Sequence, residues 1–302
     1  MIPARALAAV PGVGQRSTPP RVTPLSGGLT NRSWRVDTDA GCFVLRLNLP
    51  SPDASALGID REREQRLQRV AAAAGLAPQV VVCDPELAYL VSEYVEGVPW
   101  TPSAVLQTDR LRMLLQTLRQ LHSLAPPAGT APAAGNFLLQ AVTRQIEALR
   151  GASCAEAEQL AALDAVAQEA AQRSESTRRE ATIVHSDVHA GNVMGRPGLA
   201  LAPVLLDWEY AHIGDPLQDL ASLIASHRGL SGLAATDHEA LIHDLGLAQV
   251  ATSAMLCALV RLNQVLGYLW YRRRRLLRQD RVNAASRAAE RELLDSALRE
   301  RT

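Results

Sequence analysis

The chain of 302 residues contains no lysine, so all 31 of its basic side chains are arginines. Any permanently charged basic side chain that a function requires must therefore be an arginine. The chain also lacks an excess of charge of either sign, because 31 acidic residues balance the 31 arginines. Proteins that bind nucleic acid generally need a basic surplus to displace counterions, so this balance argues against that class of function.

Cysteine is scarce as well. The four cysteines, Cys42, Cys83, Cys154 and Cys257, are far apart, and no two of them form a C-x-x-C pair. This spacing predicts neither a zinc site nor a disulfide framework, and we expect reduced thiols and a cytoplasmic location. The first residues, MIPARALAAVPGVG, are apolar, but proline and glycine interrupt them, so a signal peptide is not expected.

A long uninterrupted apolar run is also missing. The most apolar long stretch, residues 251–271, carries Arg261, Asn263 and Gln264 near its centre, where a lipid bilayer would penalise them. We therefore expect a buried helix there and no contact with a membrane. The length and the hydrophobic fraction of 47% suit one large or two modest globular domains.

The predicted secondary structure changes near residue 96, from mainly strands to mainly helices. Residues 1–20 are rich in proline, glycine and alanine and predict a flexible N-terminal arm. Residues 21–95 predict a small β-rich N-lobe of five strands and one helix, the helix spanning 60–74 and ending at Gly75. Residues 96–302 predict a larger helical C-lobe with two short strands, TIVHSD and APVLLDW. The expected helices span about 103–124, 138–150, 154–175, 216–227, 237–246, 250–271 and 281–299.

The N-lobe carries three features that suit a phosphate ligand. The glycines of SGGLTNRSW lie between two strands, where their amides could hold phosphate oxygens, although a simple hairpin turn explains them equally well. Strand alternation places Arg46 opposite Leu45 and Leu47, so Arg46 could reach the phosphates of a nucleotide. Helical periodicity turns Glu64 toward the sheet, where it could pair with Arg46, whereas Glu62 points away.

The C-lobe carries the motif HSDVHAGN, residues 185–192, and the strand end LLDWE, residues 205–209. Two short apolar strands lead into them, so Asp187, Asn192 and Asp207 are expected to converge. Phosphoryl transfer needs a carboxylate to deprotonate the attacking hydroxyl and oxygen ligands to hold magnesium. Asp187 suits the first task, while Asn192 and Asp207 suit the second. The alternative is a metal cage built from His185, Asp187 and His189, which would leave the N-lobe features unexplained.

These motifs resemble those of the aminoglycoside phosphotransferase and choline kinase superfamily, which has the protein-kinase-like fold. His185, Asp187 and Asn192 match H-x-D-x-x-x-x-N, and Asp207 matches the magnesium-binding aspartate. HSDVHAGN, DWEYA and YLWYRRRR are most similar to the signatures of bacterial thiamine kinases. The resemblance covers about residues 22–275. It implies an α+β, bilobal, protein-kinase-like fold that uses ATP and Mg²⁺.

The resemblance also implies roles for individual residues. Asp187 would be the catalytic base, His185 would hold its loop in shape, and Asp219 would accept hydrogen bonds from that loop. Asn192 and Asp207 would bind magnesium. The implied ATP-binding residues are Gly27, Gly28, Thr30, Asn31, Arg46, Glu64, Glu93 and Val95. Glu93 and Val95 would act through their backbone groups on adenine. Arg46 departs from the pattern of protein kinases, which place a lysine there.

The acceptor must be a small molecule with a hydroxyl that reaches Asp187. Glu209, Trp208 and Trp270 are the candidate acceptor-binding residues, since a carboxylate beside aromatic faces suits a cation such as thiamine or choline. Tyr210, Tyr268 and Tyr271 lie near them in the sequence, although late aromatics could equally be core. Arg272–Arg275 could be a solvated helix end or could meet an anionic acceptor.

Three hypotheses follow from these residues. The first is an ATP-dependent kinase that acts on thiamine. The second is a kinase for choline, ethanolamine, an amino sugar or an aminoglycoside. The third is a nucleotide-binding regulatory module without catalysis, which the intact set of Asp187, Asn192 and Asp207 disfavours. The sequence gives no indication of the oligomeric state.

Overall fold

The structure is a computed structural model that describes residues 1–14, 19–25, 31–132, 136–150, 157–175, 179–198, 203–278 and 284–298. Its first part is a β-rich region. The elements there are α1 (Ala4–Ala8), β1 (Arg21–Leu25), β2 (Arg32–Thr38), β3 (Gly41–Leu47), α2 (Ser51–Ala56), α3 (Arg61–Ala73), β4 (Val80–Cys83) and β5 (Tyr89–Glu93). The five strands form one antiparallel sheet in the order β1-β2-β3-β5-β4, so the five predicted strands are all present.

Alternation along β3 divides the sheet into two faces. Leu45 is completely buried on one face, where it packs with Val36 and Val91. Arg46 points to the other face, toward α3. Helix α3 begins after Asp60, whose carboxylate accepts a hydrogen bond from the backbone of Arg63. The helix is followed by its C-cap residue Ala74 and then by Gly75, which has the positive φ (77°) that glycine adopts readily after a helix.

The predicted flexible arm over residues 1–20 is wrong for its first half. Residues 4–8 form α1, and Ala6 and Val10 are buried against the outer face of the sheet. The Oγ1 of Thr38 donates a hydrogen bond of 2.8 Å to the carbonyl of Pro11. Burial of apolar side chains therefore fixes this segment, although its composition resembles that of a loose tail.

The remainder of the described chain is mainly helical. Its short strands are β6 (Val98–Pro99), β7 (Thr182–Val184), β8 (Val193–Gly195), β9 (Val204–Leu205) and β10 (His212–Gly214). Its helices are α4 (Pro102–Val105), α5 (Thr108–His122), α6 (Phe137–Arg150), α7 (Ala157–Ser174), α8 (Leu217–Ala225), α9 (Arg228–Ser231), α10 (Ala235–Asp244), α11 (Ser253–Arg278) and α12 (Ala284–Leu298). β7 pairs with β10, while β6, β8 and β9 form a second small sheet.

Helix α11 is the centre of this helical region, since it contacts α6, α7, α8 and α12. A single large hydrophobic core joins these helices and takes in Leu67 and Ala71 of α3. None of the helices in the described part of the chain combines the length and apolar content that a membrane crossing requires. The architecture is thus the predicted one of a β-sheet lobe and a larger helical lobe.

Helices α2, α4 and α5 differ from the predicted pattern. The expected helix over 103–124 is divided into α4 and α5, because Gln107 between them has an extended backbone (φ −73°, ψ 125°). Helix α2 was not predicted, and its first turn contains Pro52. It opens the segment 51–59, in which Ala54, Leu57 and Ile59 form a small apolar cluster with Tyr210 and Trp270 of the helical lobe. This cluster connects the two lobes.

Candidate active site

The loop that carries the HSDVHAGN motif begins where β7 ends. The carboxylate of Asp219, in the first turn of α8, accepts hydrogen bonds from the backbone N–H groups of His185 (3.1 Å) and Ser186 (2.7 Å). Ser186 has a left-handed backbone conformation (φ 63°), and these bonds help to hold it. His122 of α5 lies 2.8 Å from the same carboxylate. These contacts are the ones that the resemblance implies for Asp219.

We predict that Asp219→Ala lowers the free energy of unfolding at neutral pH by about 3 kcal/mol, because it strands buried donors. Burial opposes ionisation of Asp219, but hydrogen bonds from His122 and the loop outweigh it and lower its pKa. The stability that Asp219 contributes is therefore present above the pKa of an unfolded aspartate. It is lost as the pH falls through the lower folded pKa.

Chemical denaturation at several pH values measures this effect. The exposed Asp109 of α5 supplies a matched control, Asp109→Ala, which should stay within about 0.5 kcal/mol of wild type. Equal stabilities of the two variants at neutral pH would contradict the assignment of Asp219 as the support of the loop.

His185 is fully buried and its ring is fixed by two hydrogen bonds. Nε2 lies 2.9 Å from the carbonyl oxygen of Leu206, so Nε2 must carry a proton and donate it. Nδ1 then accepts the backbone N–H of Asp187 at 3.3 Å. Burial lowers the pKa of His185, which keeps the ring neutral. These bonds join the loop to the end of β9, which is the shaping role expected of His185.

Asp187 and Asn192 are held together within the loop. The Nδ2 group of Asn192 donates to the carboxylate of Asp187 (2.9 Å) and to its backbone carbonyl (3.0 Å). The carbonyl of Asn192 accepts the N–H of Leu206 at 2.8 Å, which brings the strand before Asp207 alongside. With Nδ2 committed to Asp187, the amide oxygen of Asn192 is the atom that could hold a cation.

Asp207 follows β9 in a left-handed conformation (φ 60°). Its Oδ1 is buried and accepts no hydrogen bond from the residues that the structure describes, and the nearest cation is Nη1 of Arg46 at 3.7 Å. Burial and the neighbouring Glu209 raise the pKa of Asp207 well above its ordinary value. A buried carboxylate oxygen without a donor suits a hard divalent cation, so Asp207 and Asn192 fit magnesium.

The predicted partnership between Arg46 and Glu64 is confirmed. Nη1 of Arg46 lies 2.6 Å from Oε1 of Glu64, and both side chains are largely buried. Arg46 is also held by Asn48, whose Oδ1 accepts its Nε–H at 3.0 Å. Burial works against ionisation of Glu64, but Arg46 and Arg61 outweigh it and lower its pKa. The pair therefore directs Arg46 toward Asp207, whose Oδ1 lies 3.7 Å from Nη1 of Arg46.

The structure disfavours two of the candidate acceptor-binding residues, Trp208 and Glu209. Trp208 is completely buried in the helical core, its Nε1 donates to the carbonyl of Leu205 (2.9 Å), and its ring meets His185 edge-on. It therefore cannot present its face to an acceptor. Glu209 is also buried, and its Oε2 accepts hydrogen bonds from Asn31 (2.9 Å) and Arg61 (3.2 Å). Burial raises the pKa of Glu209 although Arg61 opposes this.

The side chain of Asn31 does not support its expected role in ATP binding. Its amide nitrogen donates to Glu209, and its oxygen accepts from Arg61 (2.8 Å) and from the backbone of Leu49 (3.2 Å). Arg61, which contacts both Asn31 and Glu209, carries no motif that predicts it from the sequence. Helical spacing places Arg61 on the same face as Glu64, three residues on, but only the docked lobes supply its other partners.

The late aromatic residues divide between core and cleft. Tyr268 is buried and donates its hydroxyl hydrogen to Gln159 at 3.0 Å, so it belongs to the core. Trp270 is half-buried, and its Nε1 donates to the hydroxyl of Tyr210 at 2.6 Å. Tyr271 meets the Trp270 ring edge-on, with centroids 5.2 Å apart. Burial raises the pKa of Tyr271, Arg274 opposes the rise, and the charge of Asp187 adds to it.

The basic run 272–275 is not simply a solvated helix end. Arg272 and Arg275 form ion pairs with the buried Glu290 of α12, at 3.5 and 3.1 Å. The guanidinium of Arg274 lies 5.7 Å from the centroid of the Trp270 ring. The ion pairs of this run therefore join α11 to α12, and Arg274 places a cation beside the Trp270 ring.

The alternative of a metal cage finds no support in the geometry. Both ring nitrogens of His185 are engaged within the protein, and Nδ1 of His189 accepts the N–H of Gly191. Within the described residues, no group of three or more His, Cys, Asp or Glu side chains is arranged to hold a metal ion.

The contacts of the predicted ATP-binding residues with a nucleotide all stay predictions. Gly27, Gly28 and Thr30 lie outside the described residues. Glu93 ends β5, and its backbone N–H bonds to the carbonyl of Gln79 at 2.9 Å. Its carbonyl and the backbone of Val95 are the groups expected to meet adenine.

Comparison with known proteins places these residues in context. Residues 21–252 match the model of the phosphotransferase enzyme family, APH. A search of curated proteins found no match. The solved structures that share the fold include a choline/ethanolamine kinase family protein from Mesorhizobium loti, with 21% identity and a TM-score of 0.70 over 97% of this chain and 91% of that one.

Two further structures are similar. Choline kinase LicA from Streptococcus pneumoniae has 16% identity and a TM-score of 0.68 over 91% of this chain and 94% of its own. LicA has also been solved in complex with AMP. An ethanolamine kinase from Plasmodium vivax has 13% identity and a TM-score of 0.72 over 94% of this chain and 83% of its own.

Proposed function

Because this chain belongs to the phosphotransferase enzyme family, we propose that it transfers the γ-phosphate of ATP to a hydroxyl group of a small molecule. One observation carries the proposal. The Arg46–Glu64 pair of the β-rich lobe faces Asp207, while Asp187 and Asn192 are bonded to each other beside it. These are the positions at which phosphoryl transfer needs a cation for phosphate, ligands for a metal ion and a base.

Each residue has a distinct task in this mechanism. Arg46, held by Glu64, binds phosphate oxygens of the nucleotide. Asn192 and Asp207 would hold Mg²⁺, which neutralises charge on the phosphates. The carboxylate of Asp187 accepts the proton of the acceptor hydroxyl as its oxygen attacks the γ-phosphorus. The bond from that phosphorus to the β–γ bridging oxygen breaks, and ADP leaves with the electron pair.

The acceptor we propose is thiamine, with choline, ethanolamine, an amino sugar or an aminoglycoside as the alternative. The similarity of HSDVHAGN, DWEYA and YLWYRRRR to thiamine kinase signatures supports thiamine. The cluster of Tyr210, Trp270 and Tyr271 supports a cationic ring, which aromatic faces attract. Glu209 and Trp208 do not support it, because Glu209 is hydrogen-bonded to Asn31 and Arg61 and Trp208 is buried in the core. Of the carboxylates described at the site, the partly exposed Asp187 is the one that we propose faces the cation.

We predict that wild type phosphorylates thiamine more efficiently than neutral sugars. Trp270→Leu should raise the KM for thiamine about 3- to 30-fold, since a cation–π contact contributes roughly 0.5–2 kcal/mol. The KM for ATP should stay within about threefold. Leu276→Ala, an exposed position on the same helix, is the control and should change neither value. Steady-state kinetics with a coupled ADP assay measures both constants.

Arg274 allows a sharper choice between acceptors. Its guanidinium already lies over Trp270, so a cationic acceptor must compete with it. Arg274→Gln should therefore lower the KM for thiamine or choline. A rise in KM, together with activity on an anionic sugar, would contradict the cationic acceptor and leave the kinase assignment intact.

A further inference from the structure

Arg61 forms polar contacts with residues of both lobes, and the mechanism proposed above gives it no role. Its Nη1 lies 2.8 Å from Oε2 of Glu64 and 3.2 Å from Oε2 of Glu209, and its Nη2 lies 2.8 Å from Oδ1 of Asn31. Asn31 in turn donates to Glu209 at 2.9 Å. Three of these residues lie in the β-rich lobe, whereas Glu209 lies two residues after Asp207 in the helical lobe.

We propose that Arg61 is a positioning residue that aligns the phosphate-binding Arg46 with the metal-binding Asp207 by bridging Glu64 and Glu209. The inference rests on the proposed kinase function and adds a residue to it. Glu64 uses one carboxylate oxygen for Arg46 and the other for Arg61. Any shift of α3 that separates Arg61 from Glu209 therefore also moves the carboxylate that aims Arg46.

The position of Arg61 at the start of α3 links its contact with Glu209 to the position of Glu64. Arg61 is the first residue of α3, and Glu64 follows one turn later on the same face. Arg63, in the same turn, donates from Nε to the carbonyl of Ala211 at 2.9 Å. The first turn of α3 is thus attached twice to the segment 209–211, which begins two residues after the metal-binding position.

The buried carboxylates of Glu64 and Glu209 need a cation that can contact several oxygens at once, as the arginine side chain does. Glu64 and Glu209 are both buried, at 2% and 3% side-chain exposure, and Asp207 lies nearby. Arg46 and Arg61 are the two cations that pair with these carboxylates in the described chain. A planar guanidinium can meet several oxygens at fixed angles, which a lysine ammonium does with fewer donors. The bridge is therefore both an electrostatic balance and a geometric constraint.

The test is binding of MgADP and steady-state kinetics for Arg61→Met and Arg61→Lys. Arg61→Met should lower the affinity for MgADP and kcat/KM for ATP by about 100-fold, the upper end of the usual 10- to 100-fold loss when a residue that supports a metal ligand is removed. The KM for the acceptor should change less than about threefold. Arg61→Lys should recover at least tenfold of the lost affinity, since it restores the charge.

Arg66→Met provides the matched control, because Arg66 lies on the exposed side of the same helix and bonds only to the carbonyl of Glu62 in the described chain. It should bind MgADP as wild type does. Should Arg61→Met fail to fold, Arg61→Met combined with Glu209→Gln removes the uncompensated carboxylate. The double variant is expected to fold and to bind MgADP more weakly than wild type does.

Two results would overturn the proposal. One is an Arg61→Met protein that melts at a lower temperature but keeps wild-type MgADP affinity and kcat/KM for ATP, since Arg61 would then be structural only. The other is a double variant with wild-type MgADP affinity. If wild type binds MgADP but phosphorylates no acceptor, the kinase proposal fails while the binding measurement still decides the role of Arg61. If wild type binds no nucleotide, both proposals fail.

Discussion

Replacing Asp187 with asparagine is expected to lower turnover by about two to four orders of magnitude, the usual loss when a general base is removed. Asparagine has nearly the same shape and can still accept the hydrogen bond from Asn192, so the change removes the proton acceptor and little else. Affinity for ATP should survive, because Asp187 is proposed to contact the acceptor hydroxyl. Single-turnover kinetics with enzyme in excess of ATP measures the chemical step.

The control for this variant is Asp244→Asn, an exposed aspartate at the end of α10. It should retain wild-type turnover. A kinase activity that Asp187→Asn leaves nearly unchanged would show that another group takes the proton, and the assignment of the HSDVHAGN loop would then be wrong.

Replacing Asp207 with alanine should remove the magnesium-dependent part of nucleotide affinity as well as turnover. We expect a loss of at least about 100-fold in each, since residues that merely support a metal ligand already cost 10- to 100-fold. The structural reason is the buried Oδ1 of Asp207, which lacks a hydrogen-bond donor in the described chain and suits a divalent cation. Titration of ADP with and without Mg²⁺ measures the effect directly.

The stability of the same variant separates loss of metal from loss of fold. Oδ1 of Asp207 accepts no hydrogen bond from the described chain, so truncating the side chain strands no buried donor there. Asp207→Ala should therefore melt at the same temperature as wild type or higher when metal is absent. Wild-type ADP affinity that is indifferent to Mg²⁺, or activity that depends on stoichiometric zinc, would contradict the assignment of Asp207.

The fold could be predicted from the sequence wherever local periodicity decides the structure. The five strands and the helix carrying Glu64 follow from alternation and from the helical repeat, and so does the pairing of Glu64 with Arg46. Helix α1 could not be predicted in this way. Its alanine-rich composition is ambiguous, and only the apolar outer face of the sheet gives Ala6 and Val10 something to pack against.

The acceptor side of the site was predicted less well, for a reason that Trp208 and Glu209 illustrate. Both lie next to Asp207 in the sequence, and that proximity suggested a shared role. The direction of each side chain is set instead by the left-handed backbone at Asp207 and by the way the lobes dock. Trp208 turns into the core, and Glu209 meets Arg61 of α3, more than a hundred residues earlier. Neither outcome has a local sequence signal.

The most direct test of the central claim is phosphorus NMR of the wild-type protein with MgATP and a panel of thiamine, choline, ethanolamine, N-acetyl sugars and kanamycin. We predict that a phosphomonoester signal of one acceptor grows as the γ-phosphate signal of ATP falls, and that Asp187→Asn shows no such signal over the same time. Wild-type protein that leaves ATP intact, or that releases only inorganic phosphate with every hydroxyl compound tested, would contradict the claim.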